Sequence, residues 1–99
     1  MPLTKNEILA TLEREREAVR AFGVTRLALF GSALRGEVGE ASDLDFVVVF
    51  DRVTFDAYMG LKEFLEERFG RKVDLVIEED LKPVIRETVL RDMVDVPGL

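Results

Sequence analysis

The chain has 99 residues, of which 47% are hydrophobic and 34% are charged, and its formal net charge is −6 at pH 7. This composition is typical of a compact soluble domain and excludes a disordered chain. The acidic balance also disfavours broad binding to nucleic acid, which requires a basic surface. Cysteine and histidine are absent, which excludes disulfides, thiol nucleophiles, Cys/His zinc sites and imidazole-dependent triads.

The length predicts one domain over residues 1–99, with a single core. No apolar run approaches the roughly 20 residues that a membrane-spanning helix needs, and the N-terminus has no signal-peptide pattern. We therefore expect a cytoplasmic protein that engages neither a membrane nor nucleic acid directly.

The first predicted element is a helix that begins at a capping box. Thr4 and Glu7 have the spacing at which an N-cap side chain and a third-position glutamate satisfy the first backbone N–H groups. Apolar residues recur at helical spacing from Ile8 onward. The pattern predicts a helix to about Phe22, with Gly23 as its stop.

The rest of the chain alternates between strands and helices. In chain order we predict a strand over 26–30, a short helix beginning near Ser32, a loop around 36–41, a strand over 44–50, a helix over 55–69, a strand over 72–77, a helix from about Pro83 to Met93, and a short edge strand over 94–96. The unbroken apolar run after Asp45 indicates a central strand that is covered on both faces. The order α-β-α-β-α-β-α predicts an α/β (α+β) domain with a small mixed sheet of three to four strands flanked by helices.

Two aspartates stand at the start of the predicted central strand. Because side chains alternate along a strand, Asp43 and Asp45 point the same way, roughly 6–7 Å apart at about 3.3 Å per residue. Two carboxylates on one apolar strand repel each other and lose hydration, so the pair is costly unless a divalent cation lies between them. The alternative is that both residues terminate the strand and stay hydrated. A calcium loop is disfavoured, since apolar residues follow Asp45 where further oxygen ligands are needed.

Asp74 lies in the following strand, on the face opposite Val73 and Leu75. If the two strands are neighbours, Asp74 reaches the other two carboxylates, and hard oxygen ligands in that number suit Mg²⁺. Otherwise Asp74 is a surface aspartate of an ordinary strand.

Gly31 and Ser32 end the preceding apolar strand. Glycine allows the backbone to approach a ligand closely, and the N–H groups of a helix that starts at Ser32 favour an anion. Arg35, one turn later, is placed to cover phosphate charge. The alternatives are a plain strand-to-helix turn capped by Ser32 and a surface arginine.

Together these residues form an ordered string: Gly31-Ser32-Ala33-Leu34-Arg35-Gly36, then Ser42-Asp43-Leu44-Asp45 leading into the apolar strand. The string resembles the signature of the DNA polymerase β-like nucleotidyltransferases. Within that superfamily it is similar to the minimal nucleotidyltransferases, the MNT or MntA-like group. The likeness extends over about Leu27–Ile77, and the closing helix with Leu81-Lys82-Pro83 and Arg86 is also similar to that group.

The resemblance implies a role for each matching residue. Gly31 and Ser32, with Arg35 and Ser42, would bind the nucleotide. Asp43, Asp45 and Asp74 would be catalytic and would hold one or two Mg²⁺ ions, with Mn²⁺ as a substitute; Asp74 would also be the candidate base.

The resemblance further implies transfer of a nucleoside monophosphate, often AMP from ATP, to an acceptor hydroxyl. Members of the group are commonly antitoxins of HEPN-domain proteins and modify a tyrosine of that partner. With no second lobe to enclose the acceptor, we expect a homo- or hetero-oligomer. The alternative is a non-catalytic antitoxin that neutralises its partner by contact, and transfer to a small molecule is a third reading.

Overall fold

A four-stranded mixed sheet forms the centre of the computed structural model, which describes residues 3–35, 37–38 and 43–99. The elements in chain order are β1 (Leu3–Thr4), α1 (Lys5–Arg14), α2 (Arg16–Arg20), β2 (Val24–Phe30), a 3₁₀ helix (Gly31–Arg35), β3 (Glu37–Val38), β4 (Leu44–Phe50), α3 (Phe55–Phe69), β5 (Val73–Ile77), a second 3₁₀ helix (Glu78–Asp80), α4 (Pro83–Asp92) and β6 (Val94–Asp95). The strand order in the sheet is β5-β4-β2-β6. β4 runs parallel to β5 and antiparallel to β2, and β6 runs antiparallel to β2.

This architecture confirms the predicted fold class, a mixed sheet with helices in an α/β arrangement. The bounds of β4 and α3 coincide with those predicted. The hydroxyl of Thr54 accepts a hydrogen bond from Ala57 N (3.0 Å) at the start of α3, and Gly70, with φ +62°, ends that helix. The short edge strand β6 is also present, and none of the described helices is long and apolar enough to cross a bilayer.

The first helix differs from the prediction, because it is divided at Glu15. Glu15 has φ −105° and ψ 23°, outside the helical region, and its carboxylate pairs with Arg68 of α3 at 2.5 Å. Arg16 Nη1 donates to the carbonyl of Glu13 (2.9 Å) at the end of α1. The local sequence contains no helix breaker there, so the division accompanies a tertiary contact that helical periodicity does not encode.

A separate two-residue ladder joins β1 to β3, with Leu3 opposite Val38 and Thr4 opposite Glu37. The sequence did not indicate it, since two-residue segments carry no readable alternation. Part of the loop predicted over 36–41 therefore forms β3, and positions 36 and 39–42 lie outside the described residues.

The two faces of the sheet are covered to different depths. One face, here called the core face, carries Leu44, Phe46 and Val48 of β4, all fully buried. These side chains join one cluster with residues of β2, β5 and the first three helices: Ile8, Leu12, Val19, Leu27, Leu29, Leu61, Leu65, Phe69, Val73 and Leu75. The opposite face, here called the carboxylate face, carries Asp45 and Val47. Val47, Ala28 and Leu81 are buried outside the main cluster.

Candidate active site

Three strand ends meet at one edge of the carboxylate face. Asp45 is the second residue of β4 and lies between two register partners, Phe30 at the end of β2 and Asp74 near the start of β5. Register partners project to the same face of a sheet, so Phe30, Asp45 and Asp74 form one row across three strands. The prediction that Asp74 lies on the strand next to Asp45 agrees with this register.

The electrostatics of the row centre on Asp45, which is half-buried, while Asp43 and Asp74 are exposed. Burial raises the pKa of Asp45 above its ordinary value, and the negative charges of Asp74 and then Asp43 raise this pKa further. Among the described residues, no ion pair neutralises any of the three. The ionised form of Asp45 is therefore disfavoured unless a cation binds close to it.

At the far end of the same face, an arginine forms ion pairs with two carboxylates. Arg26 pairs with Asp95 at 2.7 Å and with Glu78 at 3.3 Å. These contacts raise the pKa of Arg26, chiefly through the hydrogen bond to Asp95. The carboxylates of Glu78 and Asp95 thus have a cationic partner at this end of the face, whereas no ion pair involves Asp43, Asp45 or Asp74 among the described residues.

Only glycine fits at position 31, because the Asp45 side chain lies against its Cα. Gly31 has φ +79°, a conformation that L-residues with a side chain rarely adopt. A Cβ built at this position would overlap Oδ2 of Asp45 and stand 3.3 Å from its Cβ. Glycine therefore both makes the turn and leaves room for the Asp45 carboxylate.

The donor set suits a hard divalent cation, because the row supplies carboxylate oxygens only. Over residues 3–35, 37–38 and 43–99, no group of three or more acidic side chains is arranged to hold a metal ion by itself. Mg²⁺ is usually bound by one or two carboxylates together with water and substrate phosphates. Asp45 with a neighbouring carboxylate fits that mode, and the three-ligand site remains a prediction.

The structure describes some of the proposed nucleotide-binding residues. The short helix predicted to begin near Ser32 is a 3₁₀ helix over Gly31–Arg35. The side chains of Ser32 and Arg35, and all of Ser42, lie outside the described residues.

A cavity of about 730 Å³ adjoins Gly31 on the carboxylate face. Its walls come from the strand end and the 3₁₀ helix on one side and from the second half of α4 on the other: Phe30, Gly31, Leu34, Thr88, Val89, Arg91 and Asp92. The sequence reasoning missed the contribution of α4 beyond Arg86. The polar residues Thr88, Arg91 and Asp92 within an amphipathic helix were the available signal, but helical spacing alone does not show what they face.

On the other side of Asp74, Tyr58 of α3 closes the edge of the sheet. Its hydroxyl donates to the carbonyl of Leu75 at 2.6 Å. Burial raises the pKa of Tyr58, and the charge of Asp74 raises it further. Tyr58 also lines an apolar cavity of about 390 Å³ with Leu75, Val76 and the exposed Phe55.

The chain as a whole matches a known family. A model of the nucleotidyltransferase domain matches residues 12–96. The chain belongs to the nucleotidyltransferase domain family. This confirms the resemblance and identifies the protein as a nucleotidyltransferase enzyme.

Relatives of this nucleotidyltransferase include the protein adenylyltransferase MntA of Thermococcus cleftensis, which is 41% identical over 93% of this chain and 95% of its own length. A solved structure of a candidate minimal nucleotidyltransferase is 43% identical, with a TM-score of 0.70 over 87% of this chain and 93% of that one. The Shewanella oneidensis complex of a tri-AMPylated HEPN toxin with its MNT antitoxin contains a chain that is 20% identical, with a TM-score of 0.64 over 92% of this chain and 73% of that one. At that identity the last likeness shows the fold alone.

Proposed function

We propose that this nucleotidyltransferase transfers AMP from ATP to a hydroxyl of a partner protein and acts as the antitoxin of a HEPN/MNT pair. The observation that carries the proposal is the row of Asp45 and Asp74 in register beside Gly31. The naming of the 41% identical relative as a protein adenylyltransferase supports AMP as the transferred group. The fold shared with an MNT antitoxin supports a HEPN-domain partner.

The chain's own residues divide the reaction between two sides of Asp45. Gly31 and Ser32 receive the triphosphate, because the backbone of the turn can approach it closely. The acceptor hydroxyl approaches from the side of Asp74, which accepts its proton. The hydroxyl oxygen forms a bond to the α-phosphorus while the bond from that phosphorus to the bridging oxygen breaks, and pyrophosphate leaves.

Asp43, Asp45 and Asp74 would hold the divalent cation, Mg²⁺ or Mn²⁺, as one or two ions. When bound, the cation would offset charge on the phosphate oxygens and on the three carboxylates together. Arg35 and Ser42 complete the proposed nucleotide site. Holding the reactants in line would supply much of the acceleration.

A partner completes the acceptor side. Asp74 is exposed, and farther along the β5 edge an apolar cavity extends from Tyr58 and Leu75 to Phe55 and Val53, which are 78% and 52% exposed. An acceptor protein placed against this edge would cover apolar surface and exclude water from the reacting groups. We therefore expect a hetero-oligomer in the active state.

The test is transfer of label from α-labelled ATP to the protein encoded beside this chain, with Mg²⁺ present. We expect label on a hydroxyl side chain of that protein, in an amount that follows the nucleotidyltransferase added. Tight association without label would instead support the alternative, an antitoxin that acts by contact, which the exposed Phe55 and Val53 also suit. Efficient labelling of small molecules by the isolated chain would contradict the partner assignment.

A further inference from the structure

The cavity beside Gly31 is larger than the apolar cavity next to Tyr58, and its α4 wall has no role in the proposed residue assignments. It lies on the β2 side of Asp45, because Phe30 and Gly31 form one of its walls. Asp74 lies on the β5 side of Asp45. The cavity and the proposed base are therefore on opposite sides of the central carboxylate.

This placement matters for a reaction in which attack is in line. The leaving group departs opposite the attacking hydroxyl, so an acceptor on the Asp74 side directs pyrophosphate towards the Gly31 side. We propose that Arg91 of α4, on the cavity wall that faces the 3₁₀ helix, is a further phosphate-binding residue that contacts the β- and γ-phosphates. The inference rests on the proposed function and extends it to α4.

The chemistry of the walls supports a phosphate occupant. Arg91 is the one cationic residue among the described residues that line the cavity, and Thr88 adds a hydroxyl donor. A guanidinium matches phosphate oxygens through two parallel N–H groups. A cationic side chain would also offset the repulsion between the three carboxylates and a triphosphate.

Arg91 can reorient towards a phosphate at small cost. Its only ion pair among the described residues is to the adjacent Asp92, at 3.3 Å. The two side chains are 66% and 57% exposed, and exposed pairs of this kind contribute little to stability. Asp92 therefore competes with phosphate for the guanidinium, and it also places a negative charge on the cavity wall.

The experiment compares nucleotides that differ only in phosphate number. Binding of AMP and of the ATP analogue with a methylene bridge between the α- and β-phosphates is measured by calorimetry with Mg²⁺ for wild type, Arg91→Gln and Asp92→Asn. Arg91→Gln should weaken the triphosphate about tenfold or more and leave AMP within about twofold. Asp92→Asn should tighten the triphosphate, because it removes the competing carboxylate.

Arg14→Gln, at an exposed arginine of α1, is the matched control and should leave both affinities unchanged. Inhibition of transfer by added pyrophosphate should also weaken in Arg91→Gln, which a merely structural role would not produce. Equal losses for AMP and the triphosphate would place the nucleoside in the cavity and overturn the inference, as would no loss for either. If wild type itself binds no nucleotide, the proposed function fails too, whereas tight binding that is insensitive to Arg91 overturns this inference alone.

Discussion

The two faces of the sheet differ in how deeply they are buried and in the side chains they carry. The core face packs against α3 and the N-terminal helices, and its β4 residues Leu44, Phe46 and Val48 are fully buried. The carboxylate face is covered thinly, since α4 contains no buried residue and Val84 on it is 85% exposed. The apolar contacts that stabilise the fold are thus concentrated on one face, while acidic groups crowd the end of the other.

The comparison shows how a small domain tolerates an unfavourable charge arrangement. Alternation along β4 places Phe46 in the core and Asp45 on the opposite face. The strand is thereby anchored by burial on one side, and its other side can carry repelling carboxylates. Stability and chemistry should therefore respond to different substitutions.

The largest effect is expected from the carboxylates on transfer. Asp45→Asn or Asp43→Asn should lower the transfer rate about 1,000-fold, because the charge that offsets the cation is lost. The thermal midpoint and circular dichroism spectrum should remain those of a folded protein. The measurement is incorporation of label from α-labelled ATP into the partner.

Asp56→Asn provides a matched control, since Asp56 is an exposed aspartate in the first turn of α3. It should retain the wild-type rate to within about twofold. Normal transfer by Asp45→Asn would show that the site lies elsewhere.

The second effect separates the two faces by stability. Leu61→Ala removes a fully buried side chain of α3 and should lower the free energy of unfolding by about 3 kcal/mol. Val84→Ala, on the exposed surface of α4, should change it by less than about 0.5 kcal/mol. Denaturant titration of both variants measures the difference, and equal losses would mean that α4 packs as tightly as α3.

The third effect concerns the contact between the Gly31 turn and the Asp45 carboxylate. Gly31→Ala should destabilise the protein by about 2 kcal/mol, since it strains a left-handed backbone and crowds Asp45. Part of that loss should disappear in an Asp45→Ala background, where the crowded oxygen is gone. A double-mutant cycle by denaturant unfolding measures the coupling, and strictly additive losses would contradict the proposed contact.

The smallest effect is the electrostatic cost of Asp45 in the absence of metal. Because the folded-state pKa of Asp45 is raised, stability from its protonated form is fully present below the unfolded pKa and is lost as pH rises through the folded pKa. Asp45→Asn should therefore match wild type near pH 4 and exceed it by about 0.5 kcal/mol at pH 7, a figure discounted for solvent screening. Unfolding titrations in a metal chelator at both pH values would reveal the divergence, and a constant offset would exclude titration of Asp45 as its cause.

Much of the fold, and the side of the sheet on which Asp45 lies, could be predicted from the sequence. Unbroken apolar character located β4, helical spacing with Thr54 and Gly70 located α3, and alternation placed Asp45 opposite the core. The division at Glu15 was not accessible, because it accompanies the pairing with Arg68 from another helix. Likewise, Arg91 reaches the neighbourhood of Gly31 only through the return of α4 across the sheet, a tertiary event that local patterns do not record.

The most direct test of the central claim measures whether nucleotide retention depends on a divalent cation held by Asp45. Binding of the α,β-methylene analogue of ATP is compared in Mg²⁺ and in excess chelator, for wild type and Asp45→Asn. The account predicts that wild type loses about tenfold or more in affinity when the cation is removed, and that Asp45→Asn shows little such dependence. Equal affinity of wild type with and without Mg²⁺ or Mn²⁺ would contradict it.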